Sequence, residues 1–277
     1  MRFAFSTLGC PSWDFTRILD CARNNGFQGV EVRGIGDAMM SRQMTCFLPS
    51  MVGTTKRLLR QDGLSLVSFD TSIALHDDAQ WNGNLEEARQ AVALCRRMDI
   101  PAIRVFGNKA GDGEVSRRVL SRLHALCAID PLVDVRLETH GDYNTLPMLE
   151  PVIREVTEKN FGIIWDVEHS DATYADAWET FYDRIAPWVR QVHLKDRMRG
   201  GTLCLTGEGG IPLRAIVRRL EDDGFKGFCS FEWEKRWHPE LAGPEVAIPH
   251  FARWMAQSKG DLLQTVSMVC GTAFPPP

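Results

Sequence analysis

At 277 residues the chain is too long for a small all-β module and has the length of a single α/β barrel. Its 44% apolar and 25% charged residues are those of an ordinary globular protein, and its net charge of −4 weighs against a nucleic-acid partner, which calls for a basic excess along one face. No stretch approaches the roughly 18 uninterrupted apolar residues of a membrane span, so no membrane partner is expected.

The opening run MRFAFSTLGC lacks the long apolar region of a signal peptide and is expected to form a first strand, Arg2–Thr7; a cytoplasmic location is the default expectation. From there short β-rich runs alternate with longer amphipathic ones. A helix over Asp14–Asn25 leads to a strand at Gly29–Arg33, and Val52–Gln61 to Leu64–Asp70. Asn84–Met98, with Leu85, Ala88, Val92 and Cys95 at helical spacing, precedes a strand at Ala102–Phe106. Next come a helix over Glu114–Ala128, a strand at Asp134–Glu138, a helix over Leu146–Glu158 and a strand at Gly162–Asp166. Tyr174–Ala186 is expected as a helix, Val189–Leu194 as a strand, Pro212–Asp223 as a helix, Gly227–Glu232 as the last strand and Glu245–Gln257 as the last helix. The segments NNGF, QDGL and DDGF each place Gly where a helix stops before a strand. Eight strands alternating with eight helices require parallel pairing, because each helix supplies a crossover, and in this length they favour a closed (β/α)₈ barrel over residues 1–257. The stretch 258–277, ending FPPP, is expected to be a disordered tail or a segment that packs on a partner. Eight cysteines stand singly, with no C-x-x-C pair, and several fall inside apolar patterns where a thiol acts as a small hydrophobe.

In such a barrel the working side chains stand at the C-terminal ends of the strands. The fifth strand ends VRLETHGD, placing Glu138 at the rim with His140 after it, and the sixth ends IIWDVEH, placing Asp166 there with His169 following. The seventh ends VHLKD, giving His193 and Lys195, and the eighth ends FSFEWE, giving Glu232. Three carboxylates in one pocket raise each other's pKa unless a cation neutralises them. With one imidazole and no thiolate, the set suits one divalent ion, Mn²⁺, Mg²⁺, Co²⁺ or Zn²⁺, and disfavours a structural zinc. His76 after the third strand and Arg104 in the fourth are candidates to line the pocket. Arg197 and Arg199 are candidates to grip an anion, and Glu31 and Arg33 are weaker rim candidates at the end of the second strand that could simply pair with each other. Trp13, Trp81, Trp165, Trp233 and Trp237 fall near rim positions where they could stack on a sugar. No GxGxxG or GxxxxGK[ST] phosphate cradle is present.

The runs VRLETHGD, WDVEH, VHLKD with the later TGEGGIP, and FSFEWE resemble the xylose isomerase-like barrel superfamily of sugar isomerases and epimerases, which includes ketose 3-epimerases, hydroxypyruvate isomerase and inosose dehydratase. The resemblance covers about residues 1–257. It implies that Glu138, Asp166, His193 and Glu232 hold one metal, commonly Mn²⁺, that Glu138 and Glu232 also move protons, and that His169 contacts a substrate oxygen. It also implies that dimers and tetramers are common. His140, Lys195, Arg199 and His76 complete the candidate substrate contacts.

The expected activity is therefore isomerisation or epimerisation of a ketose or related small polyol, by proton transfer through a metal-stabilised enediolate. A metal-dependent dehydratase of a keto-inositol or dehydroshikimate-type substrate is the alternative. A subunit of a complex that cleaves carbon-linked glycosides is a more distant one. An apurinic-site endonuclease of similar barrel is disfavoured: the fourth strand ends VFGNK without a histidine for a three-metal cluster, and no D-x-H follows His193.

Overall fold

The computed structural model describes residues 1–111 and 113–270, with side chains described through Ser258. Eight strands close a parallel barrel: β1 (Arg2–Ser6), β2 (Gly29–Val32), β3 (Ser65–Ala74), β4 (Ala102–Asn108), β5 (Asp134–Gly141), β6 (Phe161–Asp166), β7 (Val189–Leu194) and β10 (Phe228–Phe231). β1 closes the ring by pairing with both β2 and β10. The two remaining strands, β8 (Asp196–Arg197) and β9 (Leu203–Cys204), form a small antiparallel ribbon just beyond β7. Strand cores such as FGIIWD and FCSF are buried throughout, as a sheet covered on both faces requires.

The outer helices are α1 (Phe15–Asn24), α2 (Val52–Asp62), α3 (Trp81–Met98), α4 (Gly113–Cys127), α5 (Leu146–Glu155), α6 (Val167–Tyr174), α7 (Trp178–Ile185), α8 (Leu213–Asp222) and α9 (Pro244–Cys270). Each long helix turns an apolar stripe inward; in α8 it is Leu213, Ile216, Val217 and Leu220, at the 3–4 spacing of one helical face. The three helix-stop glycines behave as their sequence context demands: Gly26, Gly63 and Gly224 take φ of 72°, 65° and 70°, a region open to glycine at little cost. Among the described residues no helix is long and apolar enough to cross a membrane.

Three departures from the periodicity matter. β3, β4 and β5 run four, two and three residues past their expected ends, and register shifts between Asp70 and Ala74 and between Phe106 and Asn108 bend those strands at the rim. The helix expected over Tyr174–Ala186 is α7, and a further helix, α6, stands ahead of it, because Asp166 caps a new helix at once: its Oδ1 accepts from the N–H groups of Glu168 and His169. The last helix continues beyond Gln257. The expected tail 258–277 falls almost wholly on residues whose side chains (259–270) or whole placement (271–277) lie outside the described residues.

Candidate metal centre

Strand alternation delivers the site. Residues two apart on an extended chain share a face, so β7 and its extension aim both His193 and Lys195 at the barrel mouth, and the segment after β10 aims both Glu232 and Glu234 there. The parallel register sets Asp166 beside His193 on the neighbouring strand. Glu138 stands within β5, three residues before its end. One donor atom from each of Glu138, Asp166, His193 and Glu232 lies within 4.8 Å of the others, and all four residues are buried.

Two cations of the chain already sit among these carboxylates. Lys195 is fully buried; its Nζ donates to Glu232 Oε2 at 2.7 Å and Glu234 Oε1 at 2.5 Å, and lies 2.8 Å from Asp166 Oδ2. Arg104 Nη1 donates to Glu138 Oε2 at 2.8 Å and faces Glu232 Oε1 at 3.5 Å. Burial by itself pushes the Glu232 carboxyl up, but His193, Lys195 and Arg104 outweigh it and hold the group well below the usual range. Asp166 is likewise held low, with His169 and Lys195 overcoming burial. Both carboxylates are therefore ionised at neutral pH.

His193 shows which of its atoms faces the cluster. Its Nε2 stands 2.7 Å from Glu31 Oε1, while Nδ1 lies 3.4 Å from Glu232 Oε1, 3.7 Å from Asp166 Oδ2 and 3.8 Å from Glu138 Oε2. Nδ1 is buried without a hydrogen-bond partner among the described residues, and Asp166 Oδ2 meets only charged neighbours, Lys195 Nζ at 2.8 Å foremost. A buried imidazole nitrogen left unpaired and ringed by three carboxylates is what a metal ligand looks like before the metal is added, so the residues fit a divalent ion. The donor set, three carboxylates and an imidazole, is that of a borderline-to-hard ion.

Glu31 is the residue that sequence reasoning misjudged. It does not pair with Arg33; it holds the outer nitrogen of His193, fixing which nitrogen points inward. Behind it, Ser68 Oγ donates to Asp70 Oδ1 at 2.8 Å. Burial and the neighbouring Glu31 push the Asp70 carboxyl well up, while His193 holds the Glu31 carboxyl low against its own burial. A signal existed in VEVRG, a charged residue in an otherwise apolar strand, but nothing in the sequence named its partner 162 residues away.

A cavity of about 270 Å³ opens over the cluster, lined by Glu138, Glu232, His140, His169, Arg33 and Trp237 among others. His169 and His140 meet edge to face at 4.7 Å; His140 Nδ1 stands 2.9 Å from Asn108 Oδ1, and His169 Nδ1 3.2 Å from the Thr139 carbonyl. Other expected contacts fall elsewhere. Lys195 is fully buried among the carboxylates and is not part of the cavity lining, and His76 is also absent from that lining. Arg199 sits out on the β8–β9 side, along a separate surface groove, because the ribbon turns it away from the mouth. Arg197 pairs with Glu168 and Asp171. Of the tryptophans, Trp237 lines the cavity and is half exposed, whereas Trp13, Trp165 and Trp233 are core residues and Trp81 packs against the core from α3.

Asp196 explains the TGEGGIP run. Its buried carboxylate accepts from the backbone N–H groups of Gly207 at 2.8 Å, Gly209 at 3.1 Å and Ile211 at 3.3 Å. A Cβ on Gly209 would fall 2.1 Å from Asp196 Oδ1, so glycine is required there. The loop is thus wound around an internal anion and cradles no phosphate. Asp196→Ala is expected to lower stability by about 1.5–3 kcal/mol, the worth of a hydrogen-bonded charge. It is also expected to open residues 199–210 to protease; unchanged denaturation and cleavage would show that the loop holds without this carboxylate.

A family model for the xylose isomerase-like TIM barrel matches residues 19–257. Solved structures share the fold. The probable 3-DHS dehydratase AsbF involved in petrobactin synthesis from Bacillus anthracis superposes with a TM-score of 0.77 at 19% identity, covering 92% of this chain and 99% of that one. A D-tagatose 3-epimerase-like protein gives 0.74 at 16%, covering 96% and 100%. The IOLI protein with a bound zinc atom gives 0.74 at 14%, covering 96% and 99%. At these identities the likeness is one of fold. Among curated proteins, none matches the sequence.

Proposed function

The chain belongs to the xylose isomerase-like TIM barrel family, and from that premise we propose that it is a divalent-metal-dependent isomerase or epimerase that moves a proton on carbon next to a carbonyl in a small polyhydroxylated ketone. The observation that carries this reading is the convergence of Glu138, Asp166, Glu232 and the unpaired Nδ1 of His193 at the floor of a cavity. Bound there, a divalent ion supplies Lewis-acid polarisation of the carbonyl and a template for its neighbouring hydroxyl. Mn²⁺ is the ion proposed; the zinc of the IOLI structure is compatible with the same donor types.

The chain's own residues do the rest. Glu232 and Glu138, ligands from strands three steps apart around the ring, are the proposed proton-transfer pair, one removing the proton and the other returning it on the opposite face. Its cationic neighbours keep Glu232 deprotonated at neutral pH, the form a base requires. Arg104 fixes Glu138 through a 2.8 Å charge-assisted bond, so that carboxylate keeps one orientation. His140 and His169 on the cavity wall are placed to bind substrate hydroxyls.

That same pair of imidazoles favours a second reading, a dehydratase. An imidazolium beside the cluster would protonate a departing β-hydroxyl after the shared proton-abstraction step. The test is incubation of the metal-loaded protein in D₂O with ketoses, keto-inositols and keto acids, followed by proton NMR. Deuterium is expected at the carbon beside the carbonyl, with an epimer or isomer as product. A dehydrated ring would decide for the lyase, and absence of exchange in every ketone would overturn both readings.

A further inference from the structure

The cavity over the cluster contains a cation that, among the described residues, no carboxylate contacts directly. Arg33, one residue past β2, is only 7% exposed and lines the cavity together with Glu138, Glu232 and His169. Its Nη2 donates to Ser72 Oγ at 2.8 Å, its backbone N–H donates to Thr7 Oγ1 at 2.9 Å, and its guanidinium lies 6.0 Å from the centroid of the Trp237 ring. Among the described residues no carboxylate comes within 4.0 Å of that guanidinium. Arg104, the other guanidinium on the same wall, is by contrast held by Glu138 at 2.8 Å.

A buried guanidinium without a contacting counter-ion is expensive. Burial and the repulsion of Arg104 bring its pKa down to about 10 against the more distant pull of Asp70, Glu87 and Glu232, and it stays charged at neutral pH. Of its five N–H donors, one has a protein acceptor among the described residues, so the rest of a planar fork is left for a ligand. The Ser72 bond anchors one end of that fork, with the Trp237 ring at 6.0 Å beside it, and planar anions suit such a fork.

We infer that Arg33 grips a carboxylate of the substrate, whose ketone end meets the metal-ligand cluster, so that the substrate class is a small polyhydroxylated keto acid and not a neutral ketose. The placement of the ketone rests on the function proposed above; the anion site itself does not. A carboxylate suits the geometry better than a phosphate. One fork matches two coplanar oxygens, whereas a dianion calls for several cations or a cradle of backbone N–H groups. Here Glu232 and Glu234 line the same wall and would oppose a second negative charge.

The probes are shikimate and its methyl ester, a pair of nearly equal shape that differs in the carboxylate and carries no ketone, with D-fructose 6-phosphate and D-fructose as the phosphate pair. Each is titrated by calorimetry into the metal-loaded full chain. Shikimate is expected to bind at least tenfold tighter than its ester, and Arg33→Met to erase that preference while metal stoichiometry stays unchanged. Equal binding of acid and ester, or a preference that survives in Arg33→Met, would overturn the assignment. So would a larger gain from the phosphate of fructose 6-phosphate than from the carboxylate of shikimate. Should Arg33→Met fail to fold, the acid-to-ester ratio of the wild type still decides. Because the readout is binding, the two proposals fail separately. An acid preference without deuterium exchange in any ketone sinks the reaction alone, and exchange in neutral ketoses without an acid preference sinks the Arg33 site alone.

Discussion

Glu232→Gln is expected to give a folded, metal-binding protein whose turnover falls by about 10²–10⁴-fold, the usual worth of a positioned acid–base group. The amide keeps an oxygen that accepts from Lys195 Nζ, and Lys195 retains Asp166 at 2.8 Å and Glu234 at 2.5 Å, so no buried cation is stranded. Stability should therefore change little while the basic oxygen is lost. Glu138→Gln is a less clean probe, because Arg104 Nη1 bonds Glu138 Oε2 at 2.8 Å and reaches Glu232 only at 3.5 Å. Removing the Glu138 charge leaves a buried guanidinium short of its nearest partner, so lost activity would mix with lost structure. The check is kcat for Glu232→Gln at saturating metal, with bound metal counted in the same sample. Near-wild-type turnover there would remove Glu232 from proton transfer.

What the sequence made legible, and what it hid, follows from the range of the interactions. The barrel was readable because its signals are local: apolar periodicity within each helix, buried strand cores, and the glycines at 26, 63 and 224 that stop helices. The convergence of Glu138, Asp166, His193 and Glu232 was readable because a parallel barrel turns four separate strand ends into one place, so position along each strand was enough. Contacts across the barrel were not. Glu31 meets His193 across 162 residues, and Arg33 is left without a carboxylate partner, only because β2 and β7 belong to one closed ring. Local rules left a Glu31–Arg33 pair open as the simplest reading of two charges at one strand end. Two residues apart on an extended segment they share a face, but His193 presents the buried N–H that claims Glu31. Lys195 shows the same limit from the other side. Its place just after β7 was legible, but its full burial among Asp166, Glu232 and Glu234, where it acts as an internal counter-ion, was not. Arg199 was misplaced because two-residue strands such as β8 and β9 leave no periodicity to read.

Metal affinity should fall in steps as the His193 side of the centre is taken apart. His193→Ala deletes one of four ligands, and its metal affinity is expected to drop further than that of Glu31→Gln. The latter removes only the outer partner of the imidazole, and such partners are worth about 10–100-fold. In both variants the rise in Tm on adding metal should shrink in proportion, because that rise measures ligation to the folded state alone. Acidity works on the same atom. Burial lowers the His193 pKa, but Glu232, Glu31 and Asp166 outweigh it and hold the imidazole well above its ordinary value. Without metal, that raised pKa contributes stability that is complete below the unfolded value of about 6.5 and is lost as pH rises through the folded value. With metal, a proton on Nδ1 must leave first, so affinity should climb as pH rises through that same folded value, with a proton released on binding. Calorimetry in two buffers of different ionisation enthalpy reads the released proton directly. Metal binding that is indifferent to pH, or a metal stoichiometry untouched in His193→Ala, would show that the imidazole is a structural cation in this barrel and that the carboxylates hold the ion without it.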